Sequence, residues 1–170
     1  MTKKRLATIW LDGCSGCHMS LLDIDERLIE VAQLADFVYS PIVDPKEFPE
    51  DVDVTLVEGA VSNQDDLEKV LKVRKNSKLV VSLGDCAVTS NVPGMRNQFK
   101  LKDIYSRAYL ENADENLHKP EKVIPPLLDK SLPVHQVVEV DFFVPGCPPS
   151  ADTIYYALSE ILKGRIPDLQ

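Results

Sequence analysis

The chain has 170 residues, 44% of them hydrophobic and 27% charged, which is one domain's worth and enough to bury a core without staples. Its net charge of −8 argues against nucleic acid as a partner, because phosphate binding needs a basic face. No run approaches the roughly 18 apolar residues of a membrane span, and the apolar stretch of MTKKRLATIWLDG breaks at Asp12, too soon for a secretory core. The reading is therefore a single domain over 1–170 in the reducing cytoplasm, where cysteines are metal ligands or redox groups before they are disulfides.

In chain order, Leu6 to Leu11 (LATIWL) is a continuous apolar run, the pattern of a strand buried on both faces. Leu21, Ile24, Leu28, Val31 and Leu34 then recur at helical spacing, predicting an amphipathic helix over Met19 to Ala35. Phe37 to Val43 reads as a second strand, placed at an edge or broken by Pro41. After the connector DPKEFPED, Val52 to Val57 (VDVTLV) is a third strand ending in Glu58-Gly59. A helix over Asp65 to Lys75 follows, with capping side chains at Ser62-Asn63. Lys78 to Leu83 (KLVVSL) is the fourth strand and Val137 to Val144 the fifth. A last helix runs from Ala151 to Lys163 and stops at Gly164. Trp10 and Phe142 are expected core residues.

Strands alternating with helices predict an α/β, flavodoxin-like three-layer sandwich around a mainly parallel five-stranded sheet, in the order 2-1-3-4-5. One stretch breaks the rhythm. The connector at about 91–136 holds Pro93, Pro120, Pro125, Pro126 and Pro133 and reads as short helices at most. A connection that long inside a compact domain is functional or a docking surface.

The chain has four cysteines, set in three turns: DGCSGC with Cys14 and Cys17, LGDCA with Cys86, PGCPP with Cys147. The spacing is C-x2-C-x68-C-x60-C. Each turn follows a predicted strand, and ligands of open α/β sheets sit beyond the carboxyl ends of the strands. Four soft donors so gathered point to one metal centre, read first as iron–sulfur. Gly13, Gly16, Gly84 and Gly146 leave backbone N–H groups free to approach sulfur, and the helix starting near Cys17 aims its positive end at the site. Pro148-Pro149 fixes the chain after Cys147. Three other readings stand beside this one. A thioredoxin-like dithiol would explain Cys14 and Cys17 but not Cys86 and Cys147. Structural zinc prefers two local cysteine pairs. The third is chance placement of buried cysteines.

At these residues the chain resembles the small, cluster-bearing subunit of [NiFe] hydrogenases, through CSGCHMSLLD at 14–23, VEGAVSNQDD at 57–66, GDCA at 84–87 and PGCPPS at 145–150. The resemblance implies a flavodoxin-like fold in which Cys14, Cys17, Cys86 and Cys147 ligate one [4Fe-4S] cluster, proximal to a nickel–iron site in a separate large subunit. The chain stops at Gln170 with no cysteine to spare, and His18-Met19 stand where many relatives carry a glutamate. These details look like the short, cytoplasmic, bidirectional NAD(P)-linked type, which passes electrons to an iron–sulfur and flavin diaphorase module. The cluster-bearing subunit of respiratory complex I is similar, but typically has two adjacent cysteines where Ser15 and Gly16 intervene here. A complex I-like or membrane-bound hydrogenase connecting subunit is the alternative within this class; a zinc-stabilised interaction module is the alternative outside it.

Around the cysteines, Glu58 is a candidate for proton transfer or contact with the large subunit, against a solvated loop acid. His18 is a candidate for bonding toward the cluster or the subunit interface, against an exposed or capping histidine. Asp12 and Asp85 are expected to accept backbone N–H groups in their turns. His118 and His135 carry no motif. FMN at the switch point is disfavoured, because Cys14 and Cys17 occupy the turn where a Ser/Thr-rich phosphate loop would lie.

Overall fold

The computed structural model describes residues 2–169. The apolar runs become the sheet. β1 (Lys4–Trp10), β2 (Ala35–Tyr39), β3 (Val52–Glu58), β5 (Ser77–Leu83) and β7 (Phe142–Val144) form one five-stranded sheet in the order β2-β1-β3-β5-β7. Every pairing in it is parallel. Counted within this sheet, that is the predicted order 2-1-3-4-5, with β2 at an edge before Pro41.

Both faces of the sheet are covered, which is why its strands read as unbroken apolar runs. On one face, Leu6, Val54, Leu56, Val81 and Leu83 pack with Leu21, Ile24 and Val31 and with Ile154 and Leu158 of α7 (Ala151–Leu162). On the other, Ile9, Val57 and Val80 pack with Val70 and Val73 of α3 (Gln64–Asn76) and with Val134. Asn63 caps α3 as expected. Its side chain accepts from Asp66 N at 3.0 Å, and the Asp66 carboxylate returns a bond to Asn63 N at 3.3 Å, a reciprocal capping box.

Several expectations need correction. The helix over 19–35 is in pieces: α1 (Gly16–Leu22), a 3-10 turn (Asp25–Arg27) and α2 (Leu28–Leu34). Asp25 has φ of 58°, which breaks the helical run. Even so, Leu21, Ile24 and Val31 all stay buried. The apolar period was therefore sound, but it reports a buried face and not an unbroken helix. Ala35 already belongs to β2, which ends at Tyr39.

The fifth strand is also shorter than 137–144. Val134–Gln136 is a 3-10 turn that takes the N–H groups of Val137 and Val138 onto Val134 O. Pairing begins only at Asp141, where its N–H donates to Val80 O at 2.9 Å and its carboxylate accepts from Val80 N at 2.7 Å.

In the connector, α5 (Asn91–Gly94), α6 (Leu101–Ser106) and a π-helical turn (Arg107–Glu111) are the short helices foreseen. β6 (Leu127–Leu132) is not. It pairs antiparallel with β4 (Val61–Asn63) in a small second sheet. Arg96 ties the two together, donating to Ser62 O at 3.0 Å and Leu128 O at 2.9 Å. A further short helix, α4 (Asp85–Thr89), follows β5. Phe142 is half-buried against the first core, whereas Trp10 lies 45% exposed, its indole N–H reaching Gly13 O at 3.3 Å. Trp10 is the last residue of β1, at the carboxyl end of the sheet. Among the described residues no helix is long and apolar enough to cross a membrane.

Candidate functional site

The cysteine turns follow β1, β5 and β7 at one edge of the sheet, and backbone bonds lace them together. The first turn is tied to the end of β3 by Leu11 N to Glu58 O (2.9 Å) and by a two-way bridge between Asp12 and Ala60 (3.0 and 2.8 Å). The second and third turns are joined by Gly84 N to Val144 O and Asp85 N to Gly146 O, each 2.8 Å. Asp85 Oδ1 accepts from Gly146 N at 2.7 Å, so this acid bonds a backbone amide as expected, but in the neighbouring turn. Ser20 Oγ donates to Pro149 O at 2.5 Å and ties α1 to the last turn.

All four thiols are free of disulfides. Cys17 is buried, Cys86 is intermediate, and Cys14 and Cys147 are exposed, so the site opens toward solvent on the side of the last two. Donors already face the sulfurs: Gly16 N lies 3.4 Å from Cys14 Sγ and Asn91 Nδ2 lies 3.3 Å from Cys147 Sγ. The backbone at residue 84 passes so close that a Cβ there would stand 2.2 Å from Cys17 Sγ.

The thiols feel one another electrically. Burial, then Glu58, then Cys86, Cys14 and Cys147 push the Cys17 thiol up to about 12. Burial, then Cys14 and Cys147, raise Cys86, although the Val92 N–H opposes the shift. Four mutually repelling thiolates are tolerable only around cationic metal, which binds each thiolate as its proton is released to solvent. The donor set is all sulfur, and amides and a side-chain N–H are aimed at it; both suit an iron–sulfur cluster. Among the described residues, no three His, Cys, Asp or Glu side chains are grouped as a single-ion site.

Glu58 and His18 are both buried, at 2% and 6% exposure, so neither is the solvated group that the plainer reading of each expected. Glu58 Oε1 accepts from Cys17 N at 3.3 Å, and Oε2 accepts from His18 N at 2.9 Å and meets His18 Nδ1. The leading amides of α1 are thus shared: that of Gly16 goes to Cys14 sulfur, and those of Cys17 and His18 go to Glu58. On its other side the His18 ring reaches Thr8 Oγ1 at 2.9 Å, and Thr8 donates to Ser40 Oγ at 2.8 Å. Thr8 and Ser40 escaped the sequence reading, although a threonine inside the apolar run LATIWL was a signal. His135 stacks edge-on against Phe143, and His118 is exposed.

A doubly wound parallel sheet thus carries four coupled thiols along its carboxyl edge, a donor set of the kind that suits a sulfur-ligated metal centre. Residues 14–161 match the family model of the NADH ubiquinone oxidoreductase 20 Kd subunit, and the chain belongs to that family. Within it, the chain is 40% identical over 172 residues to the NAD-reducing hydrogenase HoxS subunit delta of Cupriavidus necator, covering 98% of this chain and 82% of that one. It is also 40% identical over 167 residues to an F420-non-reducing hydrogenase vhu subunit of Methanocaldococcus jannaschii, covering 97% of this chain but only 58% of that protein. The chain thus spans a little over half the length of several curated relatives. A crystal structure of an NAD+-reducing [NiFe]-hydrogenase in the H2-reduced state superposes with a TM-score of 0.94 at 35% identity, covering 99% of this chain and 96% of its counterpart. The chain's place in the family is among the hydrogenase small and delta subunits.

Proposed function

We propose that this chain is the electron-transfer small subunit of a cytoplasmic [NiFe] hydrogenase, with Cys14, Cys17, Cys86 and Cys147 holding one [4Fe-4S] cluster. Such a cluster supplies one-electron transfer, here between the nickel–iron site of a large subunit and a NAD(P)-reducing diaphorase module. The observation that carries this reading is the meeting of four thiols from three separated turns. The likeness to an NAD+-reducing enzyme over nearly the full length of both chains supports the NAD(P)-linked type.

The chain's own residues do three things at this site. The turns fix the four sulfurs through the backbone ties between β1, β3, β5 and β7. Gly16 N and Asn91 Nδ2 hydrogen-bond to sulfur, a contact that tunes such a centre. Exposed Met19 and Val92 lie near Cys17 and Cys86 in sequence and offer apolar surface for a partner to cover.

The family description keeps a complex I-like connecting subunit as the second reading. Ser15 and Gly16 between the first two cysteines favour hydrogenase, and the identity of the co-purifying large subunit decides between the two. The test of the site is anaerobic purification of the complex with iron and sulfide assays and EPR. Cys86→Ala is expected to fold yet lose iron, sulfide and signal. A full cluster in that variant overturns the assignment, and zinc in place of iron would make the chain a structural interaction module.

A further inference from the structure

We propose that His18, Thr8 and Ser40 are positioning residues that hold the Glu58 carboxylate against the Cys17 backbone and so set the reduction potential of the centre at the four cysteines. This rests on the reading of those cysteines as cluster ligands. The four side chains form one continuous buried line: Glu58 to His18 Nδ1, His18 Nε2 to Thr8 Oγ1 at 2.9 Å, Thr8 Oγ1 to Ser40 Oγ at 2.8 Å. Glu58, His18, Thr8 and Ser40 are 2, 6, 0 and 3% exposed. Buried polar groups persist only when each finds a partner, and here each is satisfied by the next.

The sequence of contacts gives the line its purpose. Thr8 Oγ1 donates to Ser40 Oγ and is the partner of His18 Nε2, while His18 Nδ1 on the other side of the ring meets Glu58 Oε2. Ser40 therefore orients Thr8, Thr8 orients the imidazole, and the imidazole pins Glu58 Oε2. That carboxylate is the one that accepts the N–H groups of Cys17 and His18. Its charge is felt at both Cys17 and Cys86. A negative charge beside a redox centre disfavours electron uptake, and the ring held against Glu58 determines how fully that charge is offset.

The experiment is redox titration, followed by EPR, of the assembled complex carrying Thr8→Val, a near-isosteric change that deletes the hydroxyl shared by His18 and Ser40. The change leaves buried His18 Nε2 without its partner, an unfavourable state that loosens the ring from Glu58. The reduction equilibrium is expected to shift by about tenfold toward the oxidised state, which is about 59 mV for one electron, with iron and sulfide content unchanged. Thr8→Ser is expected to restore the wild-type potential. Thr55→Val serves as the control, because the Thr55–Ser77 hydroxyl pair (2.7 Å) is buried in the same sheet and bonds none of these groups; it is expected to lose stability without moving the potential. Should Thr8→Val not assemble, Ser40→Ala removes the far end of the line and is expected to move the potential in the same direction. A loaded Thr8→Val or Ser40→Ala complex at the wild-type potential overturns the proposal, as does an equal shift in Thr55→Val. A wild-type complex without iron overturns the cluster reading instead.

Discussion

Replacing Gly84 by alanine probes how closely the strand-end backbone is built around sulfur. Gly84 has φ 80° and ψ 162°, a region essentially reserved for glycine, where another residue costs on the order of 1–3 kcal/mol. The new Cβ would lie 2.2 Å from Cys17 Sγ and 3.4 Å from Gly146 O. Retreat of the strand end is opposed by the bond from Gly84 N to Val144 O at 2.8 Å and by Gly84 O, which accepts from Ala87 and Val88 at 3.1 Å. Overpacking of this kind adds about 1–3 kcal/mol. The sum, about 2–6 kcal/mol, is a large share of the roughly 5–15 kcal/mol that holds a domain together. Gly164→Ala is the matched comparison: φ is 75° with nothing within 4 Å, so only the backbone cost of about 1–2 kcal/mol applies. Thermal unfolding of both variants, with iron assayed on the assembled complex, reads the difference. Gly84→Ala is expected to unfold earlier than Gly164→Ala and to bind less iron. Equal stabilities with full iron in both would refute the close approach of residue 84 to the sulfur.

Three further outcomes follow from the same coordinates. In metal-free chain, Cys17 is expected to alkylate far more slowly than Cys14 at pH 8, because it is buried and its thiol is pushed up to about 12; mass spectrometry of timed iodoacetamide reactions checks this, and equal rates would contradict it. At Asp53, burial pushes the carboxyl up, but the Lys78 ammonium and the Arg5 N–H outweigh it and hold the pKa below its ordinary 3.8. A depressed acid stabilises the fold above its unfolded value and loses that contribution as pH falls through the folded one. The gap in unfolding midpoint between wild type and Asp53→Asn should therefore be open at neutral pH and close in acid below 3.8; a gap independent of pH would sink this account. Asn63→Ala removes one side of the α3 capping box and is expected to cost about 1 kcal/mol, read by urea denaturation.

Much of the architecture lies in the residues themselves. Runs such as LATIWL and KLVVSL leave a strand only one stable setting, covered on both faces, and a sheet so covered is parallel. The three Gly/Pro turns follow such runs, so the meeting of their cysteines at one edge follows from the sheet order. The small β4–β6 sheet was hidden because β6 sits among prolines with charged Asp129 and Lys130 at its centre, and its partner lies more than sixty residues away. The break near Asp25 was hidden because the apolar period runs straight through it.

The sequence by itself determined the layering of the fold, its main strands and the turns that carry sulfur, since apolar period and turn chemistry are local properties. The tertiary structure decided what surrounds the sulfur. Glu58, His18, Thr8 and Ser40 each look ordinary where they stand in the chain. They become one buried line because parallel pairing sets β1 between β2 and β3. Strand pairing acts between distant segments, so no local pattern records which polar side chains it will shut away together.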